Sequence, residues 1–343
     1  MNTRDSILVV GAGFSGAVIA REFADAGRAV RVIDRRSHVA GNAHDYVNAH
    51  GIRVHTYGPH LFHTANEDVV QWLSRFTRWS PYQHRVKAML ADGRLVTLPV
   101  NAETAAVVGR DRVLDTLFRP YTRKMWGLEL EQLDAEILSR VPIREDMNEL
   151  YFPNDPFQAL PTQGYTALFE SMLAHPLIDL HLSTAFNLRM EAEHVHCFNS
   201  MAIDEYFGHD LGPLPYRSIR FHTVTIPAPR LLPVAVVNFT HDLPYTRVTE
   251  WKHLPGHGDL PWTTLTYEEP CAAEDNAFER YYPIKDLHGR NRTLYKRYLE
   301  RVPDGVTFVG RCGQYVYLDM HQAVASALAV ARRFLAAASS SAG

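Results

Sequence analysis

The fold of this chain is decided by its first segment, which reads SILVVGAGFSGAVIAREFADAGRAVRVID over residues 6–34. The apolar run Ile7–Val10 predicts a buried strand of a parallel sheet. Gly11, Gly13 and Gly16 follow in the pattern G-x-G-x-x-G, which permits a tight turn, close approach of a pyrophosphate to the backbone, and close packing of a helix on the strand. The segment therefore predicts the start of a dinucleotide-binding βαβ unit.

The residues after the glycines support the same interpretation. The pattern continues as a helix over Ala17–Ala26, stopped by Gly27, and as a second strand over Ala29–Ile33. Asp34 then stands where a carboxylate can accept hydrogen bonds from a ribose 2′-hydroxyl. A carboxylate would repel a 2′-phosphate, which favours FAD or NAD over NADP, although Arg35 and Arg36 weaken that preference.

Composition restricts the class of protein. The 343 residues exceed one ordinary core and predict two or three subdomains, and 46% hydrophobic with 21% charged residues is typical of a globular chain. The net charge of −3 gives no reason to expect nucleic acid or a membrane surface as partner. Three widely spaced cysteines and a strand beginning at residue 7, with no signal-peptide pattern, predict a cytoplasmic protein.

The remaining pattern predicts an α/β fold: a Rossmann-type FAD/NAD-binding domain, a mostly antiparallel substrate sheet and a small helical domain. We expect a helix over Ala65–Phe76 capped by Asn66, a hairpin over Arg85–Leu98 and helices within 102–126. The strand-like runs Ile178–Leu182, Ser218–Ile226 and Pro233–Phe239 are assigned to the substrate sheet. The predicted domains are 1–80 with 300–337 (dinucleotide-binding), 100–136 (helical), 81–99 with 137–299 (substrate sheet), and a disordered tail at 338–343.

Five segments, in this order, resemble the UDP-galactopyranose mutase family over roughly residues 6–336. They are GAGFSG at 11–16, GPHLFHT at 58–64, YTRKMW at 121–126, PYTRVTEWKH at 244–253 with YYPI at 281–284, and GRCGQYVYLDM at 310–320.

The resemblance implies an enzyme that interconverts the pyranose and furanose forms of a nucleotide-diphosphate hexose. In that family reduced FAD attacks the anomeric carbon, the diphosphate leaves, and the sugar ring recloses with five members, so no net redox change occurs. The implied partner is the nucleotide sugar, and a homodimer is one expected assembly.

The resemblance also implies roles for particular residues. The expected catalytic set is His60, Arg140, Arg247, Tyr282, Tyr317 and Asp319, in which the two arginines clamp the diphosphate. The expected substrate-binding set is Tyr121, Met125, Trp126 and Tyr151. The expected cofactor-binding set is Gly11, Gly13, Phe14, Ser15, Gly16, Asp34, Arg35, Gly41, Asn42 and Arg311.

Three departures from the family pattern leave alternatives open. The segment between Pro99 and Tyr121 is shortened, which affects the lid and the dimer contacts of the family. Met125 replaces a glutamine that helps to read uracil, so a GDP-linked sugar competes with UDP-galactose. Ala40 replaces a glycine beside the flavin, so with His44 and Asp45 nearby a flavin-independent enzyme assisted by Mg²⁺ or Mn²⁺ is a further alternative. The remaining alternatives are a flavin-dependent oxidoreductase and a non-catalytic nucleotide-binding protein.

Overall fold

The computed structural model describes residues 6–132, 143–284 and 288–340. Its strands β1 to β17 are, in order, Ile7–Val10, Val30–Ile33, Asp45–Val47, Arg53–His55, Phe62–Thr64, Trp79–Pro81, Val86–Met89, Leu95–Leu98, Phe157–Pro161, Ile178–His181, His196–Asn199, Tyr216–Ile226, Val236–Phe239, Arg247–Glu250, Thr263–Ala272, Tyr282–Pro283 and Val306–Phe308.

The α-helices of the same residues, labelled α1 to α10, are Phe14–Asp25, Glu67–Leu73, Ala102–Val108, Arg119–Trp126, Tyr165–Leu173, Leu188–Glu191, Ile203–Tyr206, Arg290–Leu299, Gly310–Gly313 and Met320–Ser340. A π-helical turn at Leu114–Phe118 leads directly into α4. Short 3₁₀ turns lie at Gly41–Ala43, Arg110–Arg112, Leu130–Gln132, Trp251–His253 and Glu274–Asn276.

A parallel five-stranded sheet with the order β10-β2-β1-β11-β17 forms the dinucleotide-binding part. The central strand β1 is fully enclosed, and α1 packs between the sheet and the long C-terminal helix α10. Phe23 joins these layers because its ring contacts Phe198 of β11 and Phe334 of α10. This arrangement confirms the predicted Rossmann-type fold.

Two strands of that sheet correct the predicted domain boundaries. The run predicted as Ile178–Leu182 forms β10, and β11 covers His196–Asn199; both lie in the parallel sheet rather than in the substrate sheet. The assignment of all of 137–299 to the substrate sheet is therefore wrong for this stretch. The error arises because a short apolar run predicts a strand but does not specify which strand it pairs with.

The second large sheet has the order β16-β12-β15-β14-β13-β7-β8. Its neighbours run antiparallel except for β13 and β7, so the prediction of a mostly antiparallel sheet is confirmed. The helices and turns between 102 and 126 precede the sheet's later strands, and α4 packs on β15. Small antiparallel sheets, β3-β4 and β5-β9-β6, lie beside these two.

Local signals in the sequence describe several boundaries correctly. The first helix begins at Phe14, three residues before the predicted start, and Gly27 follows its end with a positive φ of 79°. The Asn66 side chain accepts a hydrogen bond from the Val69 N–H and caps α2, as predicted. The predicted hairpin is β7-β8, whose turn contains Gly93 with a φ of 85°.

The C-terminal tail differs from its predicted structure. The sequence predicts disorder over 338–343, but α10 continues to Ser340 because its alanine-rich end has high helix propensity. Residues 341–343 lie outside the described part of the chain. Among the described residues, no helix combines the length and the apolar character needed to cross a membrane.

Candidate active site

A cavity of about 330 Å³ lies at the carboxyl ends of the parallel strands, where this class of sheet binds its ligands. Residues within two positions of the carboxyl ends of four strands of the parallel sheet contribute to its wall: Gly11, Asp34, Ser200 and Gly310. Every residue of the predicted cofactor-binding set lines it, namely Gly11, Gly13, Phe14, Ser15, Gly16, Asp34, Arg35, Gly41, Asn42 and Arg311.

The glycines are required by close contacts. A Cβ atom on Gly16 would lie 1.8 Å from the carbonyl oxygen of Gly11, which a side chain cannot do. Gly13 and Gly41 face each other, since a Cβ on Gly41 would lie 3.0 Å from the Cα of Gly13. The cavity wall there is bare backbone, which is the surface that a pyrophosphate needs for close approach.

Asp34 is buried at the edge of this cavity. Its Oδ2 accepts a hydrogen bond from the Ala12 N–H and its Oδ1 accepts one from the Arg36 N–H, each at 2.8 Å. A carboxylate has about four acceptor positions, so the carboxylate can accept further hydrogen bonds from a ribose. Arg35 and Arg36 both contact the Glu279 carboxylate, which offsets their charge beside the cavity.

His44 and Asp45, the residues on which the hypothesis of a metal-assisted enzyme depends, have hydrogen-bond partners within the protein. His44 Nδ1 lies 2.7 Å from the Thr56 hydroxyl, and burial lowers the pKa of His44 to about 4. The Asp45 carboxylate accepts the N–H groups of Tyr165 and Thr166 at the start of α5. In the three described ranges no group of three His, Cys, Asp or Glu side chains could hold a metal ion.

A second cavity of about 260 Å³ adjoins the first, and His60, Arg311 and Met320 line both. Its wall contains six further residues of the predicted catalytic and substrate-binding sets: Tyr121, Tyr151, Arg247, Tyr282, Tyr317 and Asp319. Arg140, the other predicted clamp, lies outside the described residues. Because the two cavities share these three wall residues, a molecule in the second cavity would lie beside one in the first.

Arg247 begins β14 and faces Glu268 of β15 directly across the ladder. Its Nε lies 2.8 Å from Glu268 Oε2, and the two side chains are 25% and 1% exposed. Burial is the largest single effect and lowers the pKa of Arg247, but Glu268 together with Tyr121 and Tyr282 raises that pKa above its usual value. Burial in turn raises the pKa of Glu268, and Arg247 limits that rise. The ion pair joins the two side chains by charge and distance, without hydrogen-bond alignment, and places a partly buried guanidinium at the cavity wall.

His60 connects the two cavities as a neutral ring. Its Nδ1 lies 2.9 Å from the carbonyl oxygen of Gly58, and a carbonyl can only accept, so Nδ1 carries the proton. Burial lowers the pKa of His60 to about 4. The Nε2 atom is consequently an acceptor at neutral pH.

Arg311 is held rigidly between the cavities. It donates to the carbonyl oxygens of Tyr281 at 3.1 Å and Leu318 at 2.6 Å. Its guanidinium lies 5.6 Å from the ring centre of Tyr282 and 5.0 Å from that of Tyr317, and these two rings stack at 6.0 Å. Arg311 therefore positions both phenols through cation–π contacts.

Met125 and Trp126 differ in position from the other predicted substrate-binding residues. Trp126 lies edge-on to Tyr282, with ring centres 6.1 Å apart. Met125 is buried in an apolar cluster with Ile219 and Tyr281. The prediction that Met125 faces the base does not fit this placement, because an unbranched thioether on the sheet-facing side of α4 is better buried than hydrated.

The structure also gives the second cavity polar residues that the predicted sets omit. His84 lines the wall beside Tyr151, and Asn238 lines it opposite Arg247 on β13. Glu268 does not line the wall but pairs with Arg247. An arginine in an inward-facing strand position indicates that a buried acid is needed. The sequence offers both Glu268 and Glu269, and only the strand register distinguishes them.

The buried side chain of His84 makes the stability of the folded chain depend on pH. Burial lowers the pKa of His84 to about 3, far below its ordinary value of 6.5, so the unfolded chain binds a proton at this site as pH falls and the folded chain does not. This contribution to stability is full above pH 6.5 and is lost as pH falls towards 3. At pH 5 the loss is about 2 kcal/mol.

The variant His84→Gln is expected to flatten this dependence: its Tm should fall less between pH 7 and pH 5 than that of the parent chain, measured by calorimetry. His222→Gln, at an exposed histidine, is the matched control and should keep the parent slope. Equal slopes in His84→Gln and the parent chain would contradict the assignment.

Comparison with known proteins decides the family. A family model described as UDP-galactopyranose mutase matches residues 116–317, and one described as an NAD(P)-binding Rossmann-like domain matches residues 9–76. The chain belongs to the UDP-galactopyranose mutase family. It is an enzyme of the isomerase class, with a dinucleotide-binding domain of Rossmann type.

Individual relatives agree with this assignment over nearly the whole chain. A probable UDP-galactopyranose mutase from Klebsiella pneumoniae is 34% identical, with 98% of this chain and 96% of the relative covered. A dTDP-fucopyranose mutase from Escherichia coli is 32% identical, with 96% and 98% covered. A crystal structure of reduced UDP-galactopyranose mutase has a TM-score of 0.70 at 15% identity, covering 97% of this chain and 94% of that one. The last similarity concerns the fold alone.

Proposed function

We propose that this chain interconverts the pyranose and furanose forms of a nucleotide-diphosphate hexose, with reduced FAD in the first cavity. The observation that carries the proposal is the wall shared by the two cavities at His60, Arg311 and Met320. A dinucleotide that fills the first cavity reaches the second at this wall, where the arginine and tyrosines expected to hold a nucleotide sugar are gathered.

The first cavity fits FAD. The bare backbone at Gly13 and Gly41 suits a pyrophosphate, and the buried Asp34 carboxylate suits a ribose. When bound in its reduced form, FAD supplies a nucleophile for the anomeric carbon.

The residues of the second cavity suit a departing diphosphate. Glu268 lies beside Nε of Arg247 as a charge partner, and the guanidinium, which lines this cavity, can donate to phosphate oxygens. Burial raises the pKa of Tyr121, Tyr151 and Tyr317, so these phenols stay protonated and can donate hydrogen bonds. Arg140 is proposed as the second clamp, from the family pattern alone.

His60 and Asp319 are the residues that we assign to the sugar hydroxyls. The neutral His60 accepts a hydrogen bond from a sugar hydroxyl at Nε2, since its Nδ1 is bound to Gly58. Asp319 lies at the start of α10, where its N–H bonds the Gln322 side chain, and it orients a second hydroxyl.

We propose a pyrimidine nucleotide with a galacto-configured sugar as the substrate class. Two relatives are named for UDP-galactopyranose and dTDP-fucopyranose, which share a pyrimidine base and a diphosphate. The GDP alternative depends on the missing amide at position 125 and on the shortened segment between Pro99 and Tyr121, and the substrate panel below distinguishes it from the pyrimidine class.

Turnover with a panel of nucleotide sugars tests the proposal. The purified protein, reduced with dithionite, is incubated with UDP-galactopyranose, dTDP-fucopyranose and GDP-mannose, with and without EDTA. We expect a furanose product from a pyrimidine nucleotide sugar, and an absorbance near 450 nm in the oxidised protein, both unaffected by EDTA. Loss of activity with EDTA would favour the metal-assisted alternative. Hydrogen peroxide in air without a furanose product would favour an oxidoreductase.

A further inference from the structure

Helix α4 carries Tyr121 in the wall of the second cavity and Trp126 against Tyr282. The helix has eight residues and ends at Gly127, whose φ is 65°. A helix this short has little stability of its own, so its position is set by tertiary contacts. Met125 supplies apolar packing on Ile219 and Tyr281, and two cationic side chains supply polar contacts, one leaving α4 and one reaching it.

Lys124 leaves α4 towards the connection between β13 and β14. Its Nζ donates to the carbonyl oxygens of Phe239 at 2.7 Å, His241 at 2.9 Å and Tyr245 at 3.0 Å. An ammonium group has three N–H donors, and each has a carbonyl here. The connection leads directly into Arg247, so one side chain ties the helix with Tyr121 to the loop that precedes the arginine.

Arg217 holds the same helix from the sheet. It lies on β12, and its Nε donates to the Met125 carbonyl at 2.7 Å while its Nη2 donates to the Lys124 carbonyl at 3.0 Å. These are among the last carbonyls of α4, which have no partner within the helix. Arg217 thus joins the end of α4 to β12, and Lys124 joins the same end of α4 to the β13-β14 connection.

The surroundings of Lys124 favour the charged ammonium through their geometry. Burial lowers the pKa of Lys124 to about 8, and the negative charge of Asp242 opposes this effect. Three carbonyl oxygens that can only accept also favour the protonated form, so the contacts persist at neutral pH.

We propose that Lys124 is a positioning residue of the mutase site: it fixes the distance between the aromatic wall of α4 (Tyr121 and Trp126) and the diphosphate-binding Arg247. The inference rests on the proposed function. The side chain itself does not touch the substrate. Its removal lets the helix and the loop move independently, which widens the site at the point where the nucleotide diphosphate is held.

The test measures binding and turnover separately. Lys124→Met removes the ammonium and keeps the length of the side chain. We expect the Kd for UDP, by calorimetry, to rise about tenfold and kcat/KM to fall about 10- to 100-fold, with flavin content unchanged. Arg123→Met removes a neighbouring, exposed charge of α4 that pairs with Glu129, and should leave both values at those of the parent chain.

A chemical rescue separates positioning from a general loss of stability. Lys124→Cys is treated with 2-bromoethylamine, which rebuilds an ammonium at almost the original length, and the parent chain is treated in parallel. Recovery of the UDP Kd supports the proposal. A Lys124→Met variant with the Kd of the parent chain, or an aminoethylated Lys124→Cys that folds without regaining affinity, would overturn it. Absence of turnover in the parent chain counts against the proposed function alone, because UDP binding is measured independently.

Discussion

Arg247→Met is expected to lower kcat/KM about 10³-fold, the size of effect seen when a charged donor to a developing anion is removed. The diphosphate gains charge as it leaves the sugar, and Arg247 is the described arginine of the clamp beside it. The comparison uses dithionite-reduced enzyme and the pyranose substrate that the parent chain converts, with the product ratio measured by chromatography.

The buried partner complicates the single variant. Arg247→Met leaves the Glu268 carboxylate, which is 1% exposed, without its ion pair, and such a loss destabilises a protein by about 3–5 kcal/mol. The double variant Arg247→Met/Glu268→Gln removes both charges and should fold while keeping the catalytic defect. Glu268→Gln alone should retain more turnover than either Arg247 variant, since the guanidinium remains.

A matched pair on the same sheet provides the control. Arg220 on β12 faces Glu269 on β15 at 3.4 Å, with side chains 40% and 29% exposed. Arg220→Met/Glu269→Gln should behave like the parent chain, because exposed pairs contribute little. Turnover of the folded Arg247→Met/Glu268→Gln variant within threefold of the parent value would refute the clamp.

Gly16→Ala is expected to abolish flavin binding and to destabilise the dinucleotide-binding domain. The new Cβ would lie 1.8 Å from the Gly11 carbonyl oxygen and 3.0 Å from Val9 Cγ1, so α1 must move away from β1. A backbone shift of this kind costs about 3 kcal/mol, which lowers Tm by about 4 °C in a chain of this size. The absorbance near 450 nm of the purified variant should fall below a tenth of the parent value.

Gly258→Ala is the control for this substitution. No heavy atom lies within 4 Å of a Cβ built on Gly258, so it should keep the flavin content and Tm of the parent chain. Parent-like absorbance and Tm in Gly16→Ala would contradict the packing role of the third glycine.

The sequence by itself determined the features that depend on neighbours along the chain. The run from Ile7 to Asp34 specifies a strand, a glycine turn and a helix because turn geometry and hydrophobic period are local properties. Asn66 specifies a helix start for the same reason. The family motifs indicated a mutase, and the glycine pattern indicated the cofactor wall.

Only the tertiary structure decided which distant residues meet. It placed β10 and β11 in the parallel sheet, selected Glu268 rather than Glu269 as the partner of Arg247, buried Met125, and gave the Lys124 ammonium three carbonyl partners. Strand order and register depend on the packing of whole faces, and a shift of one residue moves a side chain to the opposite face. No local pattern encodes that choice, so the partners of the charged residues in this site follow from the folded sheet.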